Sequence, residues 1–262
     1  MIVAITGDHP RHTYLVGRLA ASGLLSGWVR EVREAFVPEP PAGLPDRTAE
    51  LFRLHFRRRE EAEARHFGGA AAEAETLEVA RGDLNAEATV RWIVARRPRL
   101  VLSYGCHKLG RTMRETVGGT FWNTHGGLSP DYRGVTTHFW PSFLLEPQMT
   151  GVTLHETTDA LDGGAVIHQA GAPLVRGDGL HDLAARTVKA YADTLPGLLA
   201  TALDGELPAG RPQTGTGKLW HSTDWRPEHL HPVYETWEDR VVDAALDGRI
   251  AGRAPALVSV LT

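Results

Sequence analysis

FWNTHGGLSPDYRGVTTHFW, residues 121–140, and GVTLHETTDALDGG, residues 151–164, are the stretches around which the rest of the chain arranges itself. The first begins as a strand, TFWNTH over 120–125, rich in aromatic and β-branched residues. Side chains two apart in a strand share a face, so Asn123 and His125 point the same way. An asparagine amide carries an NH₂ donor, and a histidine can donate from either ring nitrogen. The pair can therefore aim at one carbonyl oxygen and stabilise the charge that develops there. Asp162 stands on a turn bounded by Gly163 and Gly164, which permit unusual backbone angles and close approach of a ligand. Its carboxylate can hold His125 in its charged form or relay protons through water. Taken singly, an N-x-H pair is more often hydrogen-bonded sheet, and a D-G-G triplet is usually just a turn.

The order of elements around this centre predicts an α/β fold. Residues 2–6, IVAIT, form a short apolar run ended by Gly7, which is a buried strand. Leu15, Leu19 and Ala20 follow at helical spacing over 11–23, and LLSGWVREV (24–32) gives a second strand. Strand, helix, strand at this spacing implies a parallel sheet with a right-handed crossover. VPEPPAGLPD (37–46) is a loop, and a charged helix follows over 47–67. Its Arg and Glu run reads first as a solvated, ion-paired surface; the alternative has His55, or one of Arg57, Arg58 and Arg59, reaching an anionic part of a substrate. LEVA (77–80) predicts a third strand, and Asn85 is the expected cap of a helix over 86–97. RPRLVLSYG supplies the fourth strand, with CHKLGRTMRETVGG over its carboxyl end, where open α/β sheets bind ligands. GVTLHETT and AVIHQAGAPL are two more strands joined by the DALDGG turn, and residues 180–203 make an amphipathic helix. The expected whole is a Rossmann-like, mostly parallel twisted sheet with flanking helices over 1–209, and a small C-terminal appendage over 210–262. Trp220, Trp225 and Trp237 in that tail pack either on the main domain or against a second copy, as in a homodimer.

Composition narrows the function classes. The formal net charge is −4, which argues against a nucleic-acid partner. The one cysteine, Cys106, excludes an internal disulfide and a multi-cysteine metal site. No metal is implied. MIVAITGDHP is neither a signal peptide nor an anchor, and no apolar run is long enough to span a membrane, so the cytoplasm is the expected address. The loop after the first strand, GDHPRHTY, lacks both G-x-G-x-x-G and the P-loop pattern, so neither NAD nor ATP is indicated.

The full string N-x-H-G-x-L-x-P-x-Y-R-G (123–134), then T-G-V-T (150–153) and L-D-G-G (161–164), resembles the formyltransferases that use 10-formyltetrahydrofolate. Glycinamide ribonucleotide, methionyl-tRNA and sugar-amine formyltransferases belong to that family. The resemblance is closest over 99–176, extends back to residue 1 in strand–helix order and fades after about 210. It implies a folate donor and puts Asn123, His125 and Asp162 on the family's three catalytic positions. It also implies a folate pterin between the loop Tyr104, Gly105, Cys106, His107 and Leu109 and a second loop containing Thr158 and Asp159. Cys106 reads as a small packed residue with no nucleophilic role. The chain has Gly127-Leu128-Ser129-Pro130 where the family often has S-L-L-P, and resembles a branch reading L-S-P-x-Y-R-G; Ser129 reads as a turn residue, with a substrate contact as the alternative. His138 and His155 read as sheet histidines near the site.

The acceptor is narrowed by what is missing. The Gly7 loop is unlike the phosphate loop of the glycinamide ribonucleotide enzymes, and the tail is too short and too acidic for the basic tRNA-binding barrel. A small-molecule amine remains: an amino sugar, an amino acid or hydroxylamine, or a natural-product intermediate. His9, Arg11 and His12 are candidates to receive its phosphate or carboxylate. Two other readings stand beside transfer: a folate-binding module without catalysis, and a 10-formyltetrahydrofolate hydrolase.

Overall fold

The computed structural model describes every residue except Glu34, Thr216 and Thr262. Its elements run β1 (Ile2–Thr6), α1 (Pro10–Ala21), β2 (Leu25–Glu31), α2 (Asp46–Phe67), β3 (Thr76–Val79), α3 (Glu87–Val94), β4 (Leu100–Tyr104), α4 (Arg111–Val117) and β5 (Thr120–His125). There follow β6 (Tyr132–Gly134), α5 (Trp140–Phe143), β7 (Gly151–Glu156), β8 (Val166–Gly171), α6 (Leu180–Asp204), β9 (Lys218–Trp220) and α7 (Val241–Leu246). The seven-stranded sheet has the order β3-β2-β1-β4-β5-β7-β8. It is parallel from β3 to β5, and β7 and β8 are antiparallel to their neighbours. The mostly parallel α/β sheet is the one expected from the sequence.

Alternation along the strands divides the core into two layers. Ile2, Leu100, Leu102, Trp122 and Leu154 face α1 and α6, where they meet Leu15, Leu19, Val188 and Leu195. Val3, Ile5, Val101 and Phe121 face the other way, onto Val90 and Ile93 of α3 and Met113 of α4. Both faces are covered, which is why these strands are near-continuous apolar runs. Phe121 fixes the face of β5 that also carries Asn123 and His125.

The helix expected over 86–97 is shorter. It ends at Val94, because Arg97 takes a left-handed φ of 44° ahead of Pro98. Ala86, not Asn85, holds the cap position. Asn85 lies one residue too early and turns to the next loop, where it accepts from the Gly110 N–H (2.7 Å) and donates to the Lys108 carbonyl (3.0 Å).

Residues beyond 210 lie along the body of the fold. Arg211 and Ser259 bridge to Val166 and His168 on β8, covering its outer edge, and Leu261 joins the first core layer. β9 pairs with β6. Trp220 stacks on Trp140 with ring centroids 3.9 Å apart, and with Leu230, Val233 and Tyr234 it builds a further core against Leu51 and Phe52 of α2. Among the described residues no helix is long and apolar enough to cross a membrane.

Candidate active site

The strand order reverses between β1 and β4: one half of the sheet grows away from β1, the other away from β4. At such a point the loops leaving the carboxyl ends diverge and open a crevice. Here they are the loops after Thr6 and Tyr104, and a cavity of about 690 Å³ opens above them. Asn123, His125 and Asp162 line it together, as do all seven residues assigned to the pterin: Tyr104, Gly105, Cys106, His107, Leu109, Thr158 and Asp159.

Sheet register brings three polar side chains into one row. Ser103 on β4 is paired with Asn123 on β5, which is paired with His155 on β7. The Ser103 hydroxyl donates to Asn123 Oδ1 at 2.7 Å, which fixes the amide with its NH₂ outward. That NH₂ donates to His155 Nε2 at 3.2 Å, while His155 Nδ1–H donates to the Glu156 carbonyl at 2.8 Å. One amide hydrogen of Asn123 is used by this row, and the second is available to a ligand. The tautomers are assigned from these partners. His155, read from the sequence as a sheet histidine, is thus part of the site.

His125 and Asp162 form the second element. The His125 ring donates from Nε2 to the Tyr132 carbonyl at 2.8 Å, and its Nδ1 lies 3.4 Å from Asp162 Oδ2. Burial lowers the His125 pKa below its ordinary value, outweighing the upward pull of Asp162 and the Tyr132 carbonyl. The resting ring is therefore neutral, protonated at Nε2, and a proton arriving at Nδ1 meets the carboxylate. For Asp162 burial pushes upward, but the positive charge that His125 and His155 carry when protonated, each ring nitrogen 3.4 Å from the carboxylate, and the Gly134 N–H (2.8 Å from Oδ2) together hold it below the usual carboxylate value. A neutral base beside a buried carboxylate is an arrangement for taking up and passing on a proton.

Asp162 is held by backbone geometry as much as by charge. Its φ is +47°, a left-handed value that is uncommon for a residue with a Cβ. Gln213, from the C-terminal segment, donates to the carbonyls of Asp162 (2.7 Å) and Gly164 (2.8 Å) and clamps the turn. A Cβ on Gly164 would lie 1.8 Å from the Glu156 carbonyl oxygen. Gly164→Ala is therefore expected to destabilise the fold by about 1–3 kcal/mol or more and to lower Tm by several degrees; thermal unfolding followed by circular dichroism checks this.

The 104–109 loop has an anchor that sequence reading did not single out. Glu31, at the end of β2 and 0% exposed, accepts from the backbone N–H and from Nδ1 of His107, each at 2.9 Å. Gly105 has φ +61°, and a Cβ there would sit 2.3 Å from His12 Nε2. The loop can thus lie against α1 only because this residue is glycine. Burial pushes the Cys106 thiol up to about 12, so it is neutral and inert as a nucleophile. The Asp159 carboxylate accepts from Arg111 and Arg114, and its carbonyl accepts from Lys108 Nζ at 2.9 Å.

Other sequence expectations divide. His9, Arg11, His12 and His138 line the cavity, whereas Ser129 is buried outside it, its N–H bonded to Thr153 Oγ1 at 3.0 Å. Tyr132 and Arg133 bond to Glu146 and the Gly217 carbonyl, as structural residues do. The charged helix α2 is not simply a solvated surface: Arg57 is exposed and Arg58 pairs with Asp239, but His55 and Arg59 reach the cavity and Glu63 is buried behind them. Their spacing of four puts 55, 59 and 63 on one helix face, a signal present in the sequence. Among the described residues no group of three or more His, Cys, Asp or Glu could hold a metal.

The chain resembles known proteins in sequence and in fold. The model of the family described as formyl transferase matches residues 55–199. The phosphoribosylglycinamide formyltransferase of Escherichia coli (strain K12) is 36% identical over 91 residues, 34% of this chain and 42% of that protein. The aligned stretch thus spans less than half of that relative. The sugar N-formyltransferase of Shewanella sp FDAARGOS_354 superposes with a TM-score of 0.56 at 18% identity, covering 86% of this chain and 78% of the other. The N-formyltransferase of Helicobacter canadensis, solved with folinic acid and dTDP-3-aminofucose, gives 0.53 at 16% identity over 86% and 73% of the two chains. With a family match over more than half its length and a sheet of the same fold as these enzymes, the chain belongs to the formyl transferase family.

Proposed function

We propose that the protein transfers a formyl group from 10-formyltetrahydrofolate to the amine of a small molecule, with Asn123, His125 and Asp162 as its catalytic residues. The observation that carries this reading is their convergence on one wall of a cavity whose neighbouring wall is the 104–109 loop. That loop and the 157–162 loop suit a flat heterocycle. The buried Thr157 hydroxyl has no hydrogen-bond partner, so a polar group is left there for a ligand to satisfy. Tyr104, Gly105, Cys106, His107, Leu109, Thr158 and Asp159 would hold the donor. Its contribution is a formyl group on a nitrogen that can leave. A folinic acid complex of a structural neighbour is consistent with such a donor.

The chain's own residues then divide the work. Asn123, oriented by Ser103 and His155, donates its free amide hydrogen to the carbonyl oxygen as negative charge develops on it. His125 accepts the proton of the attacking amine at Nδ1, and Asp162 stabilises the imidazolium so formed. That proton is returned to the departing nitrogen, so the site ends as it began.

The test is incubation with 10-formyltetrahydrofolate and a panel of amino sugars, amino acids and hydroxylamines, with mass spectrometry of the amines. A gain of one formyl group on a member of the panel is expected. Steady formate release with no amine present would mean water is the acceptor, and no product from a folded protein with any amine would sink the proposal.

A further inference from the structure

Beyond Asn123 and Asp162 the cavity continues between α2, the start of α6 and the C-terminal segment, and its lining becomes aromatic. The Trp225 ring lies within 6.5 Å of the rings of Phe52, His55, Phe56 and Phe139. Its indole nitrogen is buried with no hydrogen-bond partner, where a buried indole N–H normally finds one. His55 Nδ1 lies 2.9 Å from the Tyr234 hydroxyl and 3.2 Å from His181 Nε2. Burial lowers the pKa of both imidazoles, His55 to about 3, so this end of the cavity holds neutral, half-apolar rings.

The charges beside it can be counted. Arg11 and Arg59 both face the buried carboxylate of Glu63, at 3.1 Å and 3.6 Å. Two guanidiniums against one carboxylate leave one positive charge. Burial draws Arg59 down to about 10, which keeps it charged at neutral pH. Arg59 Nε is the atom that faces Glu63, its Nη2 lies 3.1 Å from His9 Nδ1, and its guanidinium lies over the Phe36 ring at 4.3 Å, so it is held in place. A nucleoside diphosphate would bring more than one negative charge against the single positive charge counted here.

Resting on the formyl-transfer reading of this site, we infer that the acceptor is a compact primary amine with an aromatic or branched apolar body and a single carboxylate. The body lies among Trp225, Phe56 and Phe139, and the carboxylate meets Arg11 and Arg59. The loop from Gly134 to Phe139 runs from the N–H that binds Asp162 to this aromatic slot, so a molecule lying along it brings its amine to the catalytic wall.

Calorimetric titration of the full chain with phenylalanine, phenylalaninamide, leucine and a thymidine-diphosphate amino sugar tests this. Phenylalanine is expected to bind about tenfold or more tightly than its amide, since a buried charge-assisted contact is lost with the carboxylate, and more tightly than the sugar nucleotide. Arg59→Met is expected to abolish the acid-over-amide preference, and Trp225→Ala to weaken phenylalanine and leucine alike. The acid–amide comparison is made on the unaltered protein, so it stands even if a variant does not fold. Equal affinity for acid and amide, tighter binding of the sugar nucleotide, or binding of none overturns the inference. A parallel titration with 10-formyltetrahydrofolate separates the two claims. Donor binding and transfer to the sugar nucleotide alone sinks the acceptor class and leaves formyl transfer standing; no donor binding sinks formyl transfer and the acceptor class with it.

Discussion

Asn123→Ala is expected to lower kcat for formyl transfer about 10²–10³-fold, the usual loss when one side-chain donor to a developing oxyanion is removed. The fold should be little affected, because Ser103 and His155 each keep a backbone partner: the Ser103 hydroxyl also lies 3.4 Å from the Trp122 carbonyl, and His155 Nδ1 bonds the Glu156 carbonyl. Asp162→Asn tests the other half of the wall. Its amide oxygen can still accept the Gly134 N–H, so the turn survives, but the charge that stabilises protonated His125 is gone. A loss of about 10²–10⁴-fold in kcat is expected, with KM for the donor nearly unchanged. If the two side chains act in one step, the double variant is hardly slower than the worse single variant. Steady-state kinetics on the four proteins, with circular dichroism spectra compared, measures both effects. Single variants within a few-fold of the unaltered protein would remove these residues from the chemistry.

Mild acid is expected to unfold the protein. His12, His55, His125, His138 and His181 all have pKa values lowered by burial, His55 and His138 to about 3. The unfolded chain protonates these rings near pH 6.5, and the folded chain does not. Between the two values the unfolded state binds more protons, so stability rises with pH: it is complete above about 6.5 and is lost as pH falls from there toward 3. Each such histidine contributes a slope of about 1.4 kcal/mol per pH unit. His55 and His138 alone remove about 3 kcal/mol per unit, and the other three act in the same direction. Against a total of about 5–15 kcal/mol for a typical domain, folding should fail well above the range in which carboxylates titrate. Urea unfolding at pH 7.5, 6.5 and 5.5 gives the slope directly, and His55→Gln should reduce it by about one proton. A midpoint that does not move between pH 7.5 and 5.5 would show that these rings are protonated within the fold.

The parts of the site that were legible in the sequence are those set by local periodicity. Asn123 and His125 share a face because strands repeat every two residues, and TFWNTH is recognisably a strand. The turn at Asp162 is marked by its glycines, and the parallel order by alternating strands and helices. What was not legible depends on long-range register. His155 enters the site because β7 runs antiparallel to β5 and sets it opposite Asn123, which neither segment reveals alone. Glu31 is an ordinary strand-end carboxylate until β1 and β4 bring His107 down on it. Gln213 reaches a turn about fifty residues away in sequence, and Trp225 caps the cavity from a segment where no motif points to it. For α2 the signal existed: His55, Arg59 and Glu63 repeat every four residues, but the surrounding charges also suit a solvated helix, and only packing against α6 and the tail decides between the two.

Formyl transfer at this wall is tested most directly with 10-formyltetrahydrofolate carrying ¹³C in the formyl carbon, followed by NMR in the presence of the amine panel. The label should move from the donor to an amine as a new formamide resonance, with the unaltered protein and not with Asp162→Ala. A label that stays on the donor with every amine, or that moves equally well with Asp162→Ala, would contradict the account.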